Sequence, residues 1–86
     1  LDVTRAYVGV VSAREYLAVA ERGLEDAREH VRIAQSRFDA GLGLYSDVLR
    51  ARVAVYEAER AVVEARRGLD VARRQLGLLL GMDSPV

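Results

Sequence analysis

Chemistry needs particular side chains brought together, so the residues that could supply it are considered first. The chain has one histidine, His30, and no cysteine. Thiol catalysis, disulfide frameworks and cysteine-held zinc are therefore excluded. His30 follows Glu29 but has Ala27, not glutamate, three positions before it, so the spacing with which helical bundles hold metals is missing. A metal site needs several convergent ligands, and none is expected here. Glu21, Glu25 and Glu29 recur every four residues and share one helix face, resembling a carboxylate row. Arg22, Arg28 and Arg32 surround them, which reads as a charged, exposed face. With no nucleophile and base pair, metal constellation or phosphate loop, no catalytic, cofactor-binding or metal-binding residue is assigned, and the chain is not expected to be an enzyme.

Charge narrows the partners further. Thirteen basic residues, all arginine, cancel thirteen acidic ones. In the second half, Arg60, Arg66, Arg67, Arg73 and Arg74 interleave with Glu57, Glu59, Glu64 and Asp70, so no basic stripe for nucleic acid or an anionic membrane forms. Eighty-six residues make at most one small domain, and two helices alone cannot enclose a core, so a partner is expected. The chain opens on Leu1 inside a periodic pattern, which reads as a piece of a longer protein. No apolar run approaches the roughly 20 residues that span a bilayer.

The elements that position these residues follow from an apolar period of seven. Val3, Ala6, Val10, Ala13, Leu17, Ala20, Leu24, Ala27, Val31, Ala34 and Phe38 recur at steps of three and four, with a larger residue at each a position and alanine at each d position. A second seam runs through Val48, Ala51, Val55, Ala58, Val62, Ala65, Leu69, Ala72, Leu76 and Leu79. The prediction is an all-α fold, an antiparallel two-helix coiled-coil hairpin. Its first helix covers 2–40, its tip 41–46, its second helix 47–80 and an exit segment 81–86. If facing residues have numbers adding to 89, large meets small in every layer, as in Ala27 with Val62 or Leu24 with Ala65. Stacking alanine on alanine would instead leave gaps and clashes costing about a kcal/mol or more per misfit.

The two seams meet at Arg37 to Arg52. Gly41 can take the left-handed conformation that ends a helix, and Gly43 keeps the next step permissive. Ser46 is the expected cap of the second helix, with Asp47 on the positive end of its dipole. Leu42, Leu44 and Tyr45 are more apolar than a turn needs. They either fold back over Phe38 and Val48 or face a partner. Leu49, Val53, Tyr56 and Val63, with Val8, Val11 and Ala18 on the first helix, make a second apolar row well away from the seam. This is either scattered surface hydrophobics or the mark of a hairpin sandwiched between neighbours. Gly9 and Gly23 lie at g positions beside the seam, tolerated or matched to a close neighbour. Gly81 is the expected helix stop.

The succession AYVGVVSAREYLAVAE, RFDAGLGLYSDVLRARV and EARRGLDVARRQLGLLLG resembles one repeat of the TolC-like outer membrane efflux proteins, over nearly the whole chain. The most specific part is the tip, an aromatic after arginine, then Ala-Gly-Leu, a spacer, Ser-Asp-Val-Leu and a nearby alanine. The resemblance implies a fragment of a trimeric α-barrel that crosses the periplasm below an outer membrane β-barrel, this segment being closer to the first repeat than the second. It implies that Gly41, Leu42, Gly43, Leu44 and Tyr45 form an adaptor-docking tip and that Asp47 lies near the gated entrance. The implied partners are copies of the same protein, a periplasmic adaptor and, through it, an inner-membrane pump, with no cofactor. The hairpin of a periplasmic adaptor, or another helical scaffold, is the alternative. The transported substrate is not legible in these residues.

Overall fold

The computed structural model describes the backbone of residues 2–83, and the expected exit through Ser84 and Pro85 lies outside them. Two helices, α1 (Val3–Asp39) and α2 (Tyr45–Asp83), pack as an extended antiparallel hairpin of 68 × 17 × 14 Å. At 1.5 Å per residue each helix is about 55 to 60 Å long, so the molecule is a rod one helix pair thick.

Helix α1 starts where Asp2, in an extended conformation, accepts a hydrogen bond from the Arg5 amide at 2.8 Å. That side-chain oxygen satisfies one of the otherwise orphaned N–H groups of the first turn. Helix α1 ends at Asp39, one residue earlier than expected. Helix α2 begins at Tyr45, two residues earlier than expected, so Ser46 lies inside the first turn and does not cap it. The reason is an aromatic contact: the Tyr45 ring sits 5.2 Å from that of Phe38 at 57°. This tilted pairing draws Tyr45 against α1 and into helical geometry. Asp47 still brings its negative charge to the first turn of α2. Gly81 does not stop α2. Among the described residues only Gly41 has positive φ, so Gly81 remains in the helix, which runs on to Asp83.

The heptad seam is the core. Every a and d residue from Val3 to Ala34 and from Val48 to Leu79 is buried or half-buried, and only Phe38, beside the tip, falls on the exposed side. Off the seam, only Val11, Gln35, Gly43 and Ala61 are half-buried, and no polar residue is buried among those described. A two-helix rod can cover one stripe on each helix and no more.

Two polar contacts cross between the helices. Arg52 donates to Gln35 at 3.4 Å, and Arg66 meets Glu21 at 3.8 Å. In both pairs the residue numbers add to 87, so the helices stay in step over two heptads without a slip. All four residues are at e positions. In an antiparallel seam where each a faces a d, neighbouring e positions add to two less than the core layers, because e follows d by one and precedes the next a by three. Layers adding to 89 therefore require the observed 87 at the rim. The layering is checked by crosslinking: Ala27→Cys with Val62→Cys should oxidise readily to an intramolecular disulfide. Ala27→Cys with Ala58→Cys, one layer away, should not.

The second apolar row is exposed along its length on α2, with Leu49, Val53, Tyr56 and Val63 all open, as are Val8 and Ala18 on α1. The glycines read as either tolerated or matched to a close neighbour have no neighbour within the hairpin: a Cβ at Gly9 or Gly23 would meet nothing within 4 Å. Each then only weakens its helix, by about 1 kcal/mol relative to alanine. Gly23→Ala should stabilise the isolated hairpin by that amount, read as a higher denaturation midpoint at unchanged slope.

Candidate functional site

The tip is built by a complete helix-ending motif. Gly41 has φ 75°, its amide donates to the Phe38 carbonyl at 3.0 Å, and the Leu42 amide donates to the Arg37 carbonyl at 2.8 Å. This pair of bonds is the Schellman arrangement, and it needs a left-handed residue at position 41, which glycine supplies at least cost. Such motifs usually tuck the residue at the Leu42 position against an apolar side chain one turn back. Here the residues one turn back are Ser36 and Arg37, so Leu42 has nothing apolar to fold onto and is 72% exposed.

Gly43 is favoured for a different reason. A Cβ there would lie 3.2 Å from the Arg37 Cβ, because the chain doubles back against the last turn of α1. Leu44 follows at 68% exposure, and its carbonyl accepts the Asp47 amide at 3.1 Å, opening α2. Below the loop, Val48 is completely buried. The predicted staple therefore forms only in part. The Phe38 and Tyr45 rings pair and Val48 is buried, while Leu42 and Leu44 stay outside.

The five residues expected at the tip are thus brought together on one connection, and Asp47 stands exposed in the first turn of α2. The arrangement holds two leucines on a backbone fixed by hydrogen bonds and by an aromatic pair. A rigid tip loses little entropy when it is covered, which favours a recognition surface. The closeness of Arg37 to position 43 is not visible from turn propensities. The signal that could have found it is the fixed bonding order of the helix-ending motif, which sends the chain back over that residue.

The other candidates stay on the surface. His30 is exposed, and among the described residues no group of three or more histidines and acidic residues could hold a metal ion. Two of the three carboxylates in the row are engaged with arginines. Glu21 faces Arg66 across the seam, and Glu29 accepts from Arg32 at 2.9 Å, a hydrogen bond that holds the Glu29 carboxyl below the usual range. No helix among the described residues is long and apolar enough to cross a membrane.

The structure is a long helical hairpin whose tip leucines and outer apolar row are open. Comparison with protein families shows where it belongs. Residues 1–82 match the outer membrane efflux protein family, and the chain belongs to that family. It is therefore a component of an efflux channel protein. Comparisons with curated proteins and with solved structures find no significant match.

Proposed function

We propose that this chain forms the wall and the docking tip of an outer membrane efflux channel, on its periplasmic side. The two helices act as staves of a trimeric α-barrel, and Gly41, Leu42, Gly43, Leu44 and Tyr45 meet a periplasmic adaptor that links the channel to an energised inner-membrane pump. Asp47, one turn behind the tip, stands near the entrance, where its carboxylate can join hydrogen bonds that hold the entrance closed. The residues contribute packing and contact, and the transported substrate passes without reacting with them.

The observation that carries this reading is the exposure of Leu42 and Leu44 on a tip whose backbone is fixed by two hydrogen bonds and an aromatic pair. Exposed leucines on a mobile loop would say little, whereas leucines held out on a rigid one resemble the apolar anchors at the centre of protein interfaces. The exposed row Leu49, Val53, Tyr56 and Val63 supports neighbours on the flank, as a stave requires. The alternative, an adaptor's own hairpin, is disfavoured by the family to which the chain belongs.

A photo-crosslinking residue at Leu44 of the full-length protein should trap the adaptor, whereas one at Arg22, exposed far from the tip, should not. Equal trapping at both positions would sink the tip assignment.

A further inference from the structure

The charges of the hairpin are unevenly placed. The c and g rows form the broad face on the other side of the seam from the contacts of Arg52 with Gln35 and Arg66 with Glu21. In the half nearer the tip these rows are charged, with Asp26 and Arg37 on α1 and Arg50, Glu57 and Glu64 on α2. Further from the tip they lose every charge until Arg5, at the start of α1. There α1 shows Gly9, Ser12, Tyr16, Val19 and Gly23, and α2 shows Gly68, Val71, Gln75 and Leu78. The change falls at one height on both helices, because layers adding to 89 set Asp26 level with Val63, beside Glu64. At the same heights the opposite face keeps Arg14, Glu21, Arg66 and Arg73, so the loss belongs to one face and not to one half of the rod.

This uncharged face is open. Tyr16, Val19, Val71 and Leu78 are each more than half exposed. Gly23 and Gly68 flank the same stretch of seam from opposite helices, and a Cβ on either would meet nothing within 4 Å. The groove between the helices therefore lacks side chains on both banks at that point, where the backbone of a third helix can come close. The face is separate from the outer row: on α2, Val71 and Leu78 lie about 100° round the helix from Leu49, Tyr56 and Val63. Single exposed apolar residues need no explanation, but an uncharged patch with one common edge on two helices does.

The size of the patch decides between occupants. Gly9 to Gly23 spans about 21 Å, and with the 17 Å breadth of the hairpin the face is on the order of 350 Å². Separate proteins that form a stable complex bury about 800 Å² each, so this face is too small to hold a free partner by itself. A helix already joined to the same protein meets it at high effective concentration and needs no such area. The length suits about four turns of helix. The lack of charge sets the chemistry, since a charged side chain laid on this face would be desolvated without a partner. We infer that another helix of the channel protein itself covers this face in the assembled channel, with an uncharged side against Tyr16, Val19, Val71 and Leu78 and its closest approach at Gly23 and Gly68. The wall is then two layers thick on this side, in its half away from the tip. The inference rests on the hairpin being the wall of a larger channel protein, and not on the docking role of the tip.

The test uses the assembled full-length channel protein, carrying one introduced cysteine as its only cysteine, and a water-soluble maleimide. Val71→Cys and, on the other helix, Val19→Cys should label at least about tenfold more slowly than Glu57→Cys, which shares the c row in the charged half. All three should label alike after denaturation. A photo-crosslinking residue at Val71 should be joined to a peptide of the channel protein, identified by mass spectrometry. Labelling of Val71→Cys and Val19→Cys as fast as Glu57→Cys would overturn the inference. Slow labelling of all three would do so too, because the charge boundary would then mark no edge, and so would capture of a different protein at Val71. Failure to trap the adaptor at Leu44 would leave this pattern untouched, so the two readings fall separately.

Discussion

Leu42→Asp in the full-length channel protein should abolish stable association with the adaptor while leaving the trimer and the fold intact. The residue is 72% exposed, so its replacement should change stability by no more than about 0.5 kcal/mol. In a docked complex the same position would be desolvated. A leucine buried at an interface contributes about 1.5 to 3 kcal/mol, and an unpaired carboxylate in its place adds a desolvation cost of several kcal/mol. The combined loss corresponds to at least about a thousandfold in affinity. Co-purification with the adaptor and export by the assembled pump should both fail, while the purified variant sediments as the parent trimer. Unchanged export would remove the tip from the docking surface. Gly41→Glu should act similarly for a second reason, because a side chain at φ 75° also strains the turn.

The second large effect concerns the seam. Val62→Asp should unfold the isolated hairpin at neutral pH, whereas Val63→Asp, one residue along, should leave it folded. Val62 is 4% exposed, and its seam neighbours Ala65 and Leu69 on the next two turns are equally covered. Val63 is 49% exposed on the outer row. An aspartate at 62 removes a buried valine and puts a carboxylate into the apolar seam, with Arg28 and Arg66 only at the rim beside it, a loss of about 3 kcal/mol. A hairpin this thin has little stability to lose. Burial raises the pKa of such a carboxyl above its unfolded value, so the neutral acid is the form the fold tolerates. Helicity should accordingly recover in part as the pH falls below that raised value, and the loss should be greatest above it. Circular dichroism at 222 nm across pH reads both effects. In the full-length assembly the order changes: Val63→Asp should disrupt packing between hairpins if the outer row faces a neighbour. Normal trimer formation by that variant would leave the row without a partner.

Much of this architecture is written in local residue types. The a and d alternation specifies two helices and one buried stripe on each, because a side chain's direction in a helix depends only on its position in the 3.6-residue turn. Gly41 marks the reversal because the left-handed region is open to few other residues. The charge balance along both helices is likewise readable without a structure, as is the absence of cysteine.

Other features depend on what stands opposite. Ser46 has the chemistry of a cap, yet α2 begins before it because Tyr45 reaches the Phe38 ring, a contact that exists only once the chain has turned. Leu42 and Leu44 could have folded inward. They remain outside, where the last turn of α1 offers Ser36 and Arg37 and no apolar side chain. Glu21 pairs across the seam with Arg66 although Arg22 and Arg28 are nearer in sequence, and Arg28 and Arg52 come to border one cleft only through the register of the two helices. Helix propensity and periodicity act within a few residues, so the chain alone determines the rods and the elbow. The tip's exposed leucines, the rim pairs and the cleft are set by distances between helices, which only the folded hairpin defines.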